Sequence, residues 1–209
     1  MRENGFINGL RQDLLSRVDP SAREAVGRDL DRLAGLGVAS FQEALAVAQS
    51  PQSPAEDRAV AVWSLGQVGE APPHMRLILA ELLATEHDER VVWELAKAVV
   101  TAPDPQERLE LAGRLSTLLG APQPPEKRKA IAFALGLLGD ARAVEPLAKV
   151  LREAGETFGV CEVAAEALAN LGGPAAVQAL EALAAAADSL HQEIVLALTE
   201  AKERERRGE

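Results

Sequence analysis

A chain that repeats one amphipathic helix pair at a near-constant interval has few folds open to it. The pair is clearest in Glu126–Leu151, EKRKAIAFALGLLGDARAVEPLAKVL. Ala130, Ile131, Ala134, Leu135 and Leu138 follow the i, i+1, i+4, i+5, i+8 spacing of one buried helix face. Gly139 is placed to end that helix, because glycine takes the left-handed conformation that closes a last turn. Ala143, Val144, Leu147, Ala148 and Leu151 then set up a second amphipathic helix. Such a pair cannot bury its own apolar face, so it must stack on copies of itself.

The copies are present. Val163, Ala164, Ala167, Leu168, Leu171 and Gly172 match Ala130, Ile131, Ala134, Leu135, Leu138 and Gly139, and Val60, Ala61, Ser64, Leu65, Val68 and Gly69 match them upstream. With Leu135 as the marker, the equivalents read as Leu33, Leu65, Ala96, Leu168 and Leu198, at intervals of 32, 31, 39, 33 and 30 residues along the chain. A near-constant period in this range is the signature of a solenoid.

Leu135-Gly136-Leu137-Leu138-Gly139-Asp140, followed by Arg142-Ala143-Val144-Glu145-Pro146-Leu147, resembles a bacterial HEAT-like repeat of the short type found in phycobilisome lyases. The resemblance is close for two repeats, looser elsewhere, and extends over roughly residues 20–200. It implies an all-α fold, a right-handed α-solenoid of five to six stacked antiparallel helix pairs forming a HEAT-like superhelix. It is specific for fold and nearly silent on function, because such repeats serve scaffolds, chaperones and some enzymes.

Composition agrees. Hydrophobic residues reach 47%, mostly Ala, Leu and Val, while aromatics stand at 3% and no stretch alternates as a strand would. The 22 basic and 32 acidic side chains leave a net charge of −10, which repels phosphate backbones and argues against a nucleic-acid partner. No run approaches the roughly 18 apolar residues of a membrane span. Met1-Arg2-Glu3-Asn4 leads into no apolar segment, so no secretory leader is expected. With a lone cysteine, Cys161, these features point to the cytoplasm.

Taken in order, residues 1–19 read as an N-terminal capping helix, 20–200 as the solenoid and 201–209 as a charged helical tail. The expected helices run from Phe6 to Val18, Ala22 to Leu36, Ala39 to Gln49, Ala55 to Val68, His74 to Thr85, Asp88 to Val100 and Gln106 to Leu119. Two more pairs follow, and Leu190–Ala201 opens a sixth. The 39-residue interval is assigned to an extended loop, Gly120-Ala121-Pro122-Gln123-Pro124-Pro125, because three prolines cannot continue a helix. That loop reads as a surface insertion, or else as a semi-rigid arm or a hinge where the superhelix changes pitch.

Chemistry is sparse, and no catalytic, cofactor or metal residue is expected. His74, His87 and His191 lie in different repeats and read as surface or loop residues. Deoxyhypusine hydroxylases, which are HEAT-like enzymes, bind iron through His-Glu dipeptides near the start of the first helix. The matching dipeptides here are Ala59-Val60, Arg90-Val91, Lys129-Ala130, Glu162-Val163 and Gln192-Glu193, so the resemblance transfers no ligand. Cys161 falls at the second place of its helix, where a thiol pKa can be lowered. Without a nearby histidine it reads as a space-filling residue. The glycines of Leu65-Gly66-Gln67-Val68-Gly69 read as helix caps, and the scattered acidic residues as a solvated face.

One feature departs from the repeat pattern. Trp63 and Phe133 both stand two residues before the marker leucine, off the buried arc, where the fifth repeat carries Glu166. Trp93 stands one place earlier in the third repeat. Trp63, Trp93 and Phe133 are therefore the candidate partner-binding residues, forming an aromatic stripe; the alternative is that the rings fold back under a neighbouring helix. The expected function is a protein–protein interaction scaffold without chemistry of its own, and a second copy of the chain is one candidate partner. The alternative that the resemblance implies is a bilin-lyase-type enzyme subunit, or a chaperone for a tetrapyrrole-carrying protein.

Overall fold

The computed structural model describes residues 5–68, 72, 74–102, 104–153, 156–186, 199 and 207. They form two compact units, residues 1–101 and 102–209. Every regular element among the described residues is helical, so the chain is all-α as its periodicity requires.

The first unit holds α1 (Gly5–Arg17), α2 (Arg23–Gly35), α3 (Phe41–Gln49), α4 (Ala55–Gln67), α5 (Met75–Thr85) and α6 (Glu89–Val99). α2, α4 and α6 form one layer, while α3 packs on α4 and α5 packs on α6. α1 rests on α2 and α4 through Ile7, Leu10 and Leu14, all buried. The second unit holds α7 (Pro105–Gly120), α8 (Pro125–Leu138), α9 (Val144–Arg152), α10 (Phe158–Leu171) and α11 (Gly173–Ala186). α8 lies against α10, and α7, α9 and α11 form the second layer. Each unit is thus a two-layered α-solenoid. Each second helix packs along the first helix of the repeat that follows it, as α3 on α4, α5 on α6, α7 on α8 and α9 on α10. The expected sixth helix at Leu190–Ala201 and the tail at 201–209 lie outside the described residues, apart from Thr199 and Arg207.

The helix ends follow their local chemistry. Side chains of Ser40, Asp88 and Asp104 accept hydrogen bonds from first-turn N–H groups of α3, α6 and α7. Ser40 and Glu43 close a reciprocal box, with the Glu43 carboxylate accepting from Ala39 N–H at 2.7 Å. Pro105 and Pro125 occupy first-turn positions, where a missing N–H costs nothing. Gly139 closes α8 at φ 73°, as its position in the repeat requires.

The third repeat is out of the expected register. α2, α4, α8 and α10 each begin ten residues before Leu33, Leu65, Leu135 and Leu168. α6 begins at Glu89, ten before Val99, so Val99 rather than Ala96 is its marker. The intervals from Leu33 to Leu168 become 32, 34, 36 and 33 residues. Val91, Val92, Leu95, Ala96, Val99 and Val100 satisfy the apolar pattern as well as the true set does, because places three apart share a helix face. Trp93-Glu94 then replaces Arg90-Val91 as the third-repeat dipeptide, and it too lacks histidine.

The same shift shortens the 39-residue interval to 36, and the remaining excess is helix rather than loop. α7 has 16 residues where α5 has 11, and only residues 121–124 separate it from α8. Gly120 ends α7 and Pro125 starts α8, so the expected extended loop is a short link.

Gly66 is no cap. It lies inside α4, where a Cβ would meet Cα and Cβ of Ala98 at 3.1 and 3.0 Å. Gly136, inside α8, would meet Ala167 Cα at 2.7 Å. Both glycines let the next first helix approach closely. Gly69 lies outside the described residues.

Several acidic residues also leave the solvated face. Arg58, seven residues before Leu65, pairs with Glu86 at 3.0 Å, both side chains being largely buried. Arg128, seven before Leu135, pairs with Glu156 at 2.9 Å and Glu153 at 2.6 Å. Glu86 in turn accepts from the N–H groups of His87 and Asp88, each at 2.8 Å, and Glu156 from that of Thr157 at 2.8 Å. One arginine therefore clamps the link entering the next first helix, in the same way in both units.

Candidate binding surface

In the first unit α4 sits between α2 and α6, and Gly66 draws α6 in against it. Small side chains at Ala25 on α2 and Ala98 on α6 leave the space above Gly66 open. The result is a groove of about 440 Å³, walled by Trp63 and bordered by Asp29 and Glu94. Trp63 is half-buried there, neither a core ring nor a fully exposed one.

The electrostatics of the groove are acidic. Glu94 accepts from the Lys97 ammonium at 2.9 Å. No hydrogen bond or ion pair reaches Asp29 among the described residues. Burial pushes its carboxyl above the usual aspartate range, Arg28 works against that, and the Glu94 charge adds to it. A second cavity of about 390 Å³ lies beside the Arg58–Glu86 clamp, near Gln49 and His87. Burial works to raise Glu86, but N–H donors of Asp88 and His87 together with the Arg58 guanidinium hold it below its ordinary range.

Of the three aromatic candidates, only Trp63 lines the groove. Trp93 is half-buried on α6, four places earlier than the Trp63 place once Val99 sets the register. Phe133 holds the Trp63 place in the second unit and is also half-buried. Their equivalent in α10, Glu166, is exposed, as is Lys97 in α6. Among the described residues, the large apolar side chains that do face solvent are others: Leu36, Leu109, Leu137 and Phe158, the last 57% exposed. Sequence pattern does not flag Asp29, which reads as one more solvated acid until α2 is placed beside α4.

His74 is exposed at φ 64°, just before α5, and His87 is exposed in the link before α6. His191 lies outside the described residues. No group of His, Cys, Asp and Glu able to hold a metal occurs among the described residues. Cys161 is the fourth residue of α10, not the second, and is 3% exposed. Burial pushes its thiol up, Glu156 adds to this and Arg128 opposes it, the reverse of a lowered helix-terminal thiol. A thiol-specific reagent at pH 8 is therefore expected to modify Cys161 only on the timescale of unfolding; labelling within seconds of native protein would contradict this burial.

No helix among the described residues is long and apolar enough to cross a membrane. A family model for HEAT repeats matches residues 111–199. No curated protein matches the sequence. Among solved structures, human deoxyhypusine hydroxylase in complex with glycerol is similar at 20% identity, covering 94% of this chain and 84% of that one, with a TM-score of 0.39. The similarity to HEAT repeats over residues 111–199 agrees with the two-layered stacking of α7 to α11.

Proposed function

We propose that this chain is a protein–protein interaction scaffold that works in the cytoplasm without chemistry of its own. The observation that carries the reading is the open groove over α4, walled by a half-buried tryptophan at a place that other repeats fill with Glu166 or Lys97. Large rings at such places lose part of the roughly 1.5–3 kcal/mol that full burial contributes, which a partner's surface would restore. Phe133 holds the same place in the second unit and is also half-buried. The acidic balance of −10 supports a protein partner over nucleic acid.

The experiment is affinity capture from the native cell, set beside the variant carrying Trp63→Glu and Phe133→Glu. The parent should retain one protein in near-stoichiometric amount, or a second copy of itself by sedimentation. The variant should lose it while keeping its helical circular dichroism. A parent that retains nothing above a bare-resin control, and sediments as a monomer, would overturn the scaffold reading.

A further inference from the structure

We propose that the groove over α4 receives a basic side chain of the partner protein, with Asp29 as counter-charge and the Trp63 ring as wall. This rests on the scaffold reading and names the chemistry its partner must carry. The groove volume of about 440 Å³ falls within the roughly 300–1,000 Å³ typical of ligand sites. Its floor of Ala25, Gly66 and Ala98 is apolar and lacks bulk, which suits the methylene stem of an arginine or lysine. Its wall is the ring type that cations favour most.

The charges select a cation over a neutral or acidic guest. The nearby basic groups are already engaged: Lys97 with Glu94 at 2.9 Å, Arg28 with Glu24 at 2.5 Å, and Arg32 with Glu56 at 2.7 Å and Asp57 at 2.5 Å. Asp29 is left over. It is half-buried at the groove edge, beside a second carboxylate on α6, with no ion pair or hydrogen bond among the described residues. A guest cation would supply the partner that this carboxylate lacks. The overall charge of −10 would speed the approach of a basic surface, but only the groove would fix where its side chain goes.

The test uses Trp63 as its own reporter in the full-length chain carrying Trp93→Phe. The probe is a short alanine–glycine peptide bearing arginine, with its citrulline twin as the uncharged isostere, at about 0.15 M salt to screen long-range attraction. The arginine peptide should change Trp63 emission saturably, and citrulline should bind at least about tenfold more weakly. Asp29→Asn should weaken arginine binding about tenfold, equivalent to about 1.4 kcal/mol. Glu145→Gln, an equal change of charge in the second unit, should leave it unaltered. Asp29→Asn should not lower the melting temperature, because burial already disfavours the charged form. Equal affinity for citrulline, equal loss in Asp29→Asn and Glu145→Gln, or no change in emission at millimolar peptide would each overturn the proposal. If the native partner is still captured by the Asp29→Asn protein, the groove assignment fails and the scaffold stands. If no partner is captured at all, it is the scaffold reading that fails.

Discussion

Arg58→Met is expected to destabilise the chain by about 3 kcal/mol, read from denaturant unfolding at pH 7. The guanidinium donates to Glu86 at 3.0 Å and to the Ser53 carbonyl at 2.8 Å, in a site where both charged side chains are largely buried. Methionine fills much of the same volume but leaves the Glu86 carboxylate with only the N–H groups of His87 and Asp88. The double variant Arg58→Met/Glu86→Gln should recover part of the loss, since it removes the stranded charge. The pH dependence has a definite sign. Glu86 is held below its ordinary 4.5, so its contribution is present above that value and disappears as pH falls through the folded-state value. The parent should therefore lose stability on acidification below about pH 4.5, where Glu86→Gln should show a flatter limb. An unfolding midpoint for Arg58→Met within error of the parent would show the clamp to be energetically idle.

Gly136→Ala should destabilise by about 1–3 kcal/mol, although glycine-to-alanine inside a helix ordinarily gains up to about 1 kcal/mol. The new methyl would lie 2.7 Å from Ala167 Cα, and a backbone atom has no rotamer with which to yield. Gly113, in the middle of α7 with nothing within 4 Å of a built Cβ, supplies the opposite sign. Gly113→Ala should stabilise by about 0.5–1 kcal/mol. The pair separates backbone propensity from helix approach, because the chemical change is the same at both sites. A stabilising Gly136→Ala would mean that α8 and α10 are not in close contact in solution.

The sequence carries the helices and their ends plainly. Gly139, Pro54 and Pro125 act through local backbone preference, which needs no neighbour to take effect. The third repeat is misleading because its helix is apolar at two sets of places three residues apart, and only the start of α6 at Glu89 decides between them. Gly66 and Gly136 each follow a marker leucine, a visible coincidence, yet their role depends on a helix that arrives later in the chain. The two clamps did leave a trace: Arg58–Glu86 and Arg128–Glu156 share a separation of 28 residues. Asp29 left none, since an aspartate without a partner looks the same in a string whether it faces water or a groove.

The glycines, clamps and rings also keep time with one another. Arg58, Trp63, Gly66 and Glu86 stand 70 residues before Arg128, Phe133, Gly136 and Glu156. In the first, third and fifth repeats the same three first-helix places hold Val26, Val92 and Cys161, then Asp31, Lys97 and Glu166, then Ala34, Val100 and Ala169. Odd and even repeats are thus different parts, and the close glycine contact runs from an even one to the odd one after it. A lengthened version of this chain would keep both parts by growing two repeats at a time: one odd repeat set after another would put an alanine or valine, as at Ala34, Ala169 and Val100, where Gly66 or Gly136 admits its neighbour.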